Sequence, residues 1–592
     1  MKPKLLVTTS IEESWGLEHD IVFLGEWCKR YSRKHIWQHR SFDVCDYHWR
    51  DRAKLQVDHA YLDTLNEELL KIISAFLNKF HGVAKDSEYW RIIIGPWLLT
   101  YIPVLWDRWE LLSHFKNHPQ SLETYSLAFG RNRKVSKDFS EAIRFFDSET
   151  WNHQIFLAIL HHRNDLNIKI KPLEVEVKED IYVPIYRLTA FKKLIRFALE
   201  IIDHVIEIFS PRKRKFVFYQ SYFPRLFLLK LNLSLRLLPR AEAYFEKKIN
   251  YPNFIKRDHV GTLHHESSSD TKKHDFENFV MENILLDIPV SYLEGYPELL
   301  RIQSKFNDAE NIFTANAHFG NELFKVWGAE QKYKGSNLII SSHGGALYPL
   351  YTVFNHQEKI SNFRVIWGLA WLSGQIRMPA NKLQDRVLDY NSNGHISIID
   401  YDGQKYSYRC VSIPMGPLSL DSYNLNKDFI QGLPQEIRKE IKIRTFPMGA
   451  WERRDRYIDD LGIDIISNNS LLDTISNSRL VICTYPQTTF SEAMCSGVPT
   501  MILYNEQFWE VQPIYQELIK HLKESGIMHT NEILAANHVA SIASDPMEWW
   551  SKPKTILARK MFNEFCLTIE SDPLNSWVEL FRSISNGEFN NR

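Results

Sequence analysis

The chain has 592 residues, and its 72 Lys plus Arg are balanced by 72 Asp plus Glu, for a formal net charge of zero. That balance excludes a global basic field for nucleic acid, and the length calls for several domains of ~100–200 residues each. The six cysteines show neither C-x-x-C nor zinc-type pairing with His, which excludes a disulfide or zinc scaffold and fits a reducing cytoplasm.

The opening MKPKLLVTTSIEESWG reads as a strand, Leu5–Thr8, running into a polar turn without a signal-peptide core. A second strand, Ile21–Gly25, ends in Gly25-Glu26-Trp27. Polar residues at the C-terminal ends of parallel strands point into the crevice of an open α/β sheet, so Thr8, Thr9, Glu26 and Trp27 are candidate acceptor-binding residues. Leu62–Phe80 has helical spacing, and Arg91–Gly95 reads as a strand ahead of an aromatic helix around Trp97, Trp106 and Trp109. The apolar stretch Ile92–Leu105 is broken by Gly95, Pro96 and Pro103 and falls short of the ~20 residues a membrane span needs. Sugar-stacking faces or ordinary core packing both explain the 17 Trp.

From about 125 to 210 the pattern is mainly helical, as for an insertion. The basic run Ser210-Pro211-Arg212-Lys213-Arg214-Lys215 reads first as a solvated connection and second as an anionic-membrane or glycolipid contact. Strands follow at Phe216–Gln220, at Glu310–Thr314 and, after a helix Asn321–Lys332, at Asn337–Ser341. The last of these leads into Ser342-His343-Gly344-Gly345. The turn signature Asn391-Ser392-Asn393-Gly394 marks the crossing between an N-terminal domain, 1–390, and a C-terminal domain, 391–592.

The most informative stretch is Leu471–Leu503, read as helix, strand, polar loop, helix, Gly-x-Pro turn and strand. Its strands, Leu480–Cys483 and Thr500–Leu503, lack alternation, as in a parallel sheet buried on both faces. Gln487, Thr488 and Thr489 stand where a strand ends and a helix begins, where unpaired N–H groups and the helix dipole favour a phosphate. Glu492, in the first turn, suits ribose hydroxyls. Thr489-x-x-Glu492 also fits a capping box that needs no ligand. Arg444, closing a strand Ile441–Ile443, offers bidentate donors to a donor phosphate, and Met415-Gly416 forms a close-approach turn after a strand Cys410–Ile413. Arg453 reads equally as a phosphate ligand or a salt-bridge partner. The fold class expected is α/β and GT-B-like: two Rossmann-like domains facing a cleft, with a helical insertion in the N-terminal half.

Several motifs carry a resemblance over most of the chain. Val7-Thr8-Thr9-Ser10-Ile11-Glu12-Glu13-Ser14-Trp15, Phe23-Leu24-Gly25-Glu26-Trp27-Cys28, Tyr292-Leu293-Glu294-Gly295, Asn321-Glu322-Leu323-Phe324-Lys325-Val326-Trp327 and Ser342-His343-Gly344-Gly345 resemble an uncharacterised transferase family of bacterial surface-polysaccharide gene clusters. The C-terminal half also looks like the nucleotide-binding halves of transferases for Kdo (3-deoxy-manno-octulosonic acid) and of glycerophosphotransferases of wall synthesis. The usual family pattern is Gln-His-Gly-Gly followed shortly by an aromatic-Gly pair; here Ser342 replaces the Gln, and Pro349 follows Tyr348.

His343, beside glycines that admit a ligand close to the backbone, is a candidate base or hydrogen-bonding group. Glu322 and Glu294 are candidate catalytic carboxylates, with Asp308 and Glu310 also open. Such a group serves as nucleophile in a retaining reaction or as base in an inverting one. Asp400-Tyr401-Asp402 has metal-type spacing, but a tripeptide that loose arises by chance, and no metal ion or other cofactor is expected. The function expected is a cytoplasmic glycosyltransferase, with at most peripheral contact at the inner face of the membrane. It would move a sugar, by resemblance Kdo or a related ulosonic acid on cytidine monophosphate, to a polysaccharide, lipopolysaccharide or glycolipid acceptor, with no nucleic-acid partner. The alternatives are a glycerol- or ribitol-phosphate transferase and an inactive carbohydrate-binding protein.

Overall fold

The structure, a computed structural model, describes residues 4–589 other than 17–19, 117–120, 129–133, 176–197, 199–200, 204, 207–212, 252–256, 258–262, 264–270, 354, 384–386, 447–448 and 467–469. Three parallel sheets follow one another along the chain. The first has β1 (Leu5–Val7), β2 (Ile21–Phe23), β3 (Phe42–Val44), β4 (Leu122–Leu127) and β5 (Ile168–Leu173), in the order β3-β2-β1-β4-β5. The second has β6 (Lys213–Phe218), β7 (Asp308–Thr314), β8 (Asn337–Ser341), β9 (Phe363–Ile366) and β10 (Gln375–Arg377), in sequential order. The third has β11 (His395–Ile399), β12 (Ile441–Arg444), β13 (Asp464–Ile465), β14 (Ser478–Cys483), β15 (Thr500–Leu503) and β16 (Met528–His529), in the order β13-β12-β11-β14-β15-β16.

The first and third sheets each reverse their winding beside the first strand, which opens a crevice at the strand C-termini between β1 and β4 and between β11 and β14. The second sheet has no reversal. Its strands turn Val217, Ile312, Leu338 and Ile340 to a helical layer shared with the first sheet. Phe216, Phe218, Phe313 and Ile339 face the other way, onto Trp577 and Phe581. Those two rings belong to the helix Pro573–Ser585, so the chain crosses back from the third unit to cover the second. The expected division at 390/391 falls just ahead of β11, but the stretch 1–390 holds two sheets rather than one. Its expected helical insertion contains β5 as well as the helices Phe139–Phe146 and Glu149–His162, and part of it lies outside the described residues.

One helix organises the layer between the first two sheets. Ser87–Ser113 is buried along almost its whole length, on every side, with Pro96 and Pro103 inside it. Arg91–Gly95, expected as a strand, is therefore helical. A proline inside a helix costs ~3 kcal/mol, but a helix apolar all round gains more from burial than local propensity removes. Gly95 is not a breaker: a Cβ there would meet His356 Cε1 at 2.6 Å. Trp90, Trp97 and Trp109 are core residues, so the aromatic richness belongs to packing.

The same helix reaches toward the third unit. Arg108, fully buried, bonds Asp107 Oδ2 at 2.6 Å, Asn152 Oδ1 at 2.8 Å and the Phe146 and Ser407 carbonyls. Ser407 lies on the long 400–417 loop after β11. That loop also carries Lys405, paired with Glu149 of the first unit, and Tyr406, whose hydroxyl donates to Glu149 Oε2 at 2.7 Å. The Ser10 N–H donates to the same oxygen at 2.8 Å. Burial alone would push the Glu149 carboxyl up, but Lys405 and these hydrogen bonds hold it below the usual range. Its contribution is complete above the unfolded carboxyl pKa and is lost as pH falls through the lowered folded one.

Removing one partner of a buried pair strands a charge, at a cost of ~3–5 kcal/mol. Lys405→Met is expected to lose that much stability in urea unfolding at pH 7, and Lys405→Met with Glu149→Gln to recover a large part of it. Equal stabilities for the wild type and Lys405→Met would show that the pair does not hold the units together.

Candidate functional site

The third sheet and its crevice are formed as the spacing predicts. β14 ends at Cys483, the helix Thr488–Cys495 begins a few residues on, and β15 follows the Gly497-Val498-Pro499 turn. The capping-box alternative is not what forms. The N-cap is Gln487, with no side-chain cap, and Thr489 lies inside the first turn with its hydroxyl bonded to Tyr485. The leading N–H groups of a helix have no partner within it, and here no side chain caps them.

Against this helix start sits the loop that follows β8. The Gly345 N–H donates to Thr488 Oγ1 at 2.9 Å, and Ser491 Oγ donates to the Gly345 carbonyl at 2.6 Å. The Leu347 N–H donates to the Pro486 carbonyl at 3.2 Å, and Gln487 Nε2 to the Leu347 carbonyl at 3.1 Å. A Cβ on Gly344 would lie 2.1 Å from Thr488 Oγ1, which is why glycine stands there. The C-terminal ends of the second and third sheets therefore meet across a cleft, in a GT-B-like arrangement. Ser342, the departure from the family pattern, bonds the Tyr348 hydroxyl at 2.6 Å and accepts from Arg364 Nη2 at 3.2 Å.

His343 faces this cleft. Burial first, then the charges of Arg364, Arg409 and Lys382, push its pKa down to about 4, against a hydrogen bond to the Ala315 backbone. The imidazole is therefore neutral at physiological pH. Around it lie groups that periodicity does not reveal. Tyr222 is 6.2 Å away, ring to ring, with a backbone φ of 62°, and Gln220 shares that left-handed geometry at 46°. Two such non-glycine residues after β6 mark a loop held by its surroundings. The Arg409 guanidinium lies 5.1 Å over Phe319 and 4.7 Å over Tyr408, with its Nε buried and unbonded. Lys382 pairs with Glu492 at 2.5 Å.

The third-sheet side carries Arg444 at the end of β12, its Nε buried without a hydrogen-bond partner. Tyr401 and Tyr485, 5.2 Å apart, and Trp509 form an aromatic group over the β11 and β14 loop ends. Asp400 and Asp402 share one cation: fully buried Arg453 lies 2.8 Å from Asp400 and 3.7 Å from Asp402. Arg453 is thus a salt-bridge residue. Burial first, and then the nearby Asp400, raise the Asp402 carboxyl to about 7 against Arg453.

The other sequence candidates lie apart from this cluster. Glu322 is buried in the helical layer, 2.9 Å from Lys325, and accepts from the Phe139 N–H at 3.1 Å and the Tyr292 hydroxyl at 3.2 Å. Burial pushes its carboxyl up against the pull of Lys325. Glu294 is held by both arms of buried Arg257, at 2.8 and 3.1 Å. Asp308 and Glu310 lie at the opposite, N-terminal end of β7. Gly416 (φ 55°) packs against the Lys405 carbonyl and Ser407 N–H on the long loop, and Cys410–Ile413, expected as a strand, is irregular. Thr8, Thr9 and Trp27 do stand at the strand ends of the first sheet, but inside: Trp27 Nε1 donates to the Thr8 carbonyl at 2.9 Å, and its ring lies 5.5 Å from that of Tyr406. Glu26 pairs with Lys29 at 3.0 Å.

No curated protein matches the chain in sequence. Among solved structures, a UDP-N-acetylglucosamine 2-epimerase from Listeria monocytogenes is similar at 11% identity and a TM-score of 0.36, over 64% of this chain and 97% of that one. MurG of Acinetobacter baumannii gives 10% identity and 0.32, over 63% and 100%, and the wall teichoic acid polymerase TagF gives 9% and 0.30, over 67% and 99%. Likeness at this level carries nothing of their chemistry to this chain. Residues 4–581 match one family throughout, and the chain belongs to it: it is a LIC12162 family transferase.

Proposed function

We propose that this transferase moves a sugar from a nucleotide-activated donor to a surface-glycan acceptor. The donor favoured is a cytidine monophosphate-linked ulosonic acid of the Kdo type, as the resemblance of the C-terminal half implies. The observation that carries the reading is the docking of the His343-Gly344-Gly345 loop on the start of the Thr488–Cys495 helix. It sets a candidate base beside a phosphate-type site, with cations on both sides. In this reading the donor phosphate takes the leading N–H groups of that helix and the orphaned Arg444 Nε. Lys382 holds Oε1 of Glu492, and ribose hydroxyls go to its other oxygen.

The acceptor enters on the Tyr222 side. A ring N–H given to the Ala315 carbonyl leaves the other His343 nitrogen with a lone pair for the acceptor hydroxyl proton. The acceptor oxygen then bonds the anomeric carbon as the bond from that carbon to the phosphate oxygen breaks. The phosphate leaves with the electron pair, neutralised by Arg444, Arg409 and Lys382. Glu294 and Glu322, each tied to a buried cation, give no nucleophile here, so the route proposed is inverting. Arg453 answers Asp400 and Asp402, so the proposal needs no divalent ion.

Three outcomes are expected. In a thermal-shift screen, cytidine monophosphate stabilises the protein over uridine, guanosine and adenosine nucleotides, by ~2.7 kcal/mol at a hundredfold excess over its dissociation constant. Arg444→Ala weakens that binding about tenfold or more, the worth of a hydrogen bond to a charged group. A diphosphate response moves the donor to an ordinary hexose, a phosphate retained in the product makes the enzyme a glycerol- or ribitol-phosphate transferase, and no nucleotide response leaves a binding protein. Second, donor turnover persists in excess chelator; abolition reversed by magnesium or manganese would overturn the metal-free route. Third, protonation removes the His343 lone pair, so kcat/KM for the donor, which reports the donor-free enzyme, is flat through the ordinary imidazole range near pH 6.5 and falls only toward about 4. An inflection near 6.5 that vanishes in His343→Ala would reject the neutral base.

A further inference from the structure

The helix Arg225–Ser234 begins three residues after Tyr222, beside the cleft, and runs away from it. Its inner face packs Phe227 and Leu231 against the Trp577 and Phe581 layer. Its outer face is also apolar: Leu226, Leu229 and Leu233 are 74%, 41% and 61% exposed. At 3.6 residues per turn these three fall within about 60° of the helix circumference, a stripe rather than scattered side chains. Arg225 flanks it on one side and Lys230 on the other, and the helix itself carries no acidic residue.

Beyond its last turn, Arg236 adopts a left-handed φ of 59°, and Arg582 Nη2 donates to the Ser234 carbonyl at 3.1 Å. Lys215, Arg236 and Arg582 then line one open cavity with no acidic group in its wall. Among the described residues nothing covers the leucine stripe, and Arg225, Lys230 and Arg236 have no acidic partner. A helix apolar on both sides belongs in an interior unless its outer face meets an apolar phase.

We propose that this face docks on an anionic lipid bilayer. The leucines enter the boundary between headgroups and acyl chains, and Arg225 and Lys230 pair with lipid phosphates on either side. Lys215, Arg236 and Arg582 form a further headgroup site at the far end of the helix. The charge pattern selects this occupant over a second copy of the chain: two such faces in contact would bring their cations together. Because the near end of the helix adjoins Tyr222 and His343, docking sets the cleft mouth at the membrane surface, where a lipid-borne acceptor is presented. The inference stands on the surface alone and does not depend on the donor chemistry.

The test is flotation of the full chain with vesicles of phosphatidylcholine alone and of phosphatidylcholine with phosphatidylglycerol. Binding is expected only to the anionic vesicles, weakening as salt is raised. Leu226→Glu with Leu233→Glu, and separately Arg225→Glu with Lys230→Glu, should each lower the bound fraction at least tenfold. All four side chains are exposed, so melting temperature and nucleotide binding should not change. No binding to anionic vesicles at low salt, or equal binding by wild type and both variants, would overturn the proposal. So would a solution dimer that these variants dissolve, without vesicle binding, since the face would then belong to a second copy.

Discussion

The contact between Lys405 and Glu149 sets how the units of this protein stand to one another. Two charges taken from water are tolerated only when matched closely and hydrogen-bonded throughout, and Glu149 is met by Lys405, the Tyr406 hydroxyl and the Ser10 N–H together. The loop that brings Lys405 there leaves the third sheet at Asp400, itself locked to Arg453. It passes the central helix where Arg108 binds the Ser407 carbonyl, and then Ser412 N–H donates to the Tyr351 carbonyl at 3.1 Å. One short stretch of backbone is thereby fixed to all three units, and the β11 end of the third crevice is fixed relative to the first sheet.

The electrostatics of the cleft follow from a similar economy of charge. The chain as a whole is neutral, so the cationic field at His343 is local, made by Arg364, Arg409 and Lys382. That field favours an anion and also suppresses the basicity of the imidazole beside it. A bound phosphate cancels part of the field, and an opposite charge nearby raises an imidazole pKa. In the proposed reaction, donor binding thus turns His343 into a better base once the leaving group is in place, so acceptor activation follows donor occupancy.

Short-range signals were legible in the sequence, and long-range ones were not. The unit from Leu471 to Leu503 could be read strand by strand because non-alternating apolar runs, a helix start and a Gly-x-Pro turn are all local. Gly95-Pro96 misled because helix breaking is also a local expectation, and here burial of the whole Ser87–Ser113 helix overrides it. Thr8, Thr9 and Trp27 carry the same signal as Thr488 and Thr489, polar or amphipathic residues at parallel strand ends. What separates them is Tyr406, hundreds of residues away, which closes the first crevice. Glu294 and Glu322 were good candidates as carboxylates, but nothing in their neighbourhood announced Arg257, and the i, i+3 pairing of Glu322 with Lys325 gave no sign of its burial. Tyr222 was invisible because its backbone geometry, not its residue type, marks it.

The strand order of the second sheet explains why both the C-terminal helix and the exposed leucines are where they are. Right-handed crossovers that always step in one direction deliver their helices to one face of a sheet, and the Glu322–Tyr333 helix, with Leu323, Phe324 and Trp327, is packed on that face. The opposite face, with Phe216, Phe218, Phe313 and Ile339, receives no such cover from the β7-to-β8 crossover. It is closed instead by Arg225–Ser234 and by Pro573–Ser585, one taken from the first connection and the other from the far end of the chain. A parallel sheet buries both faces, so this unit is complete only once residues beyond the third sheet have returned to it. The cover they make is one helix thick, which leaves the outer side of Arg225–Ser234 facing whatever lies beyond the protein.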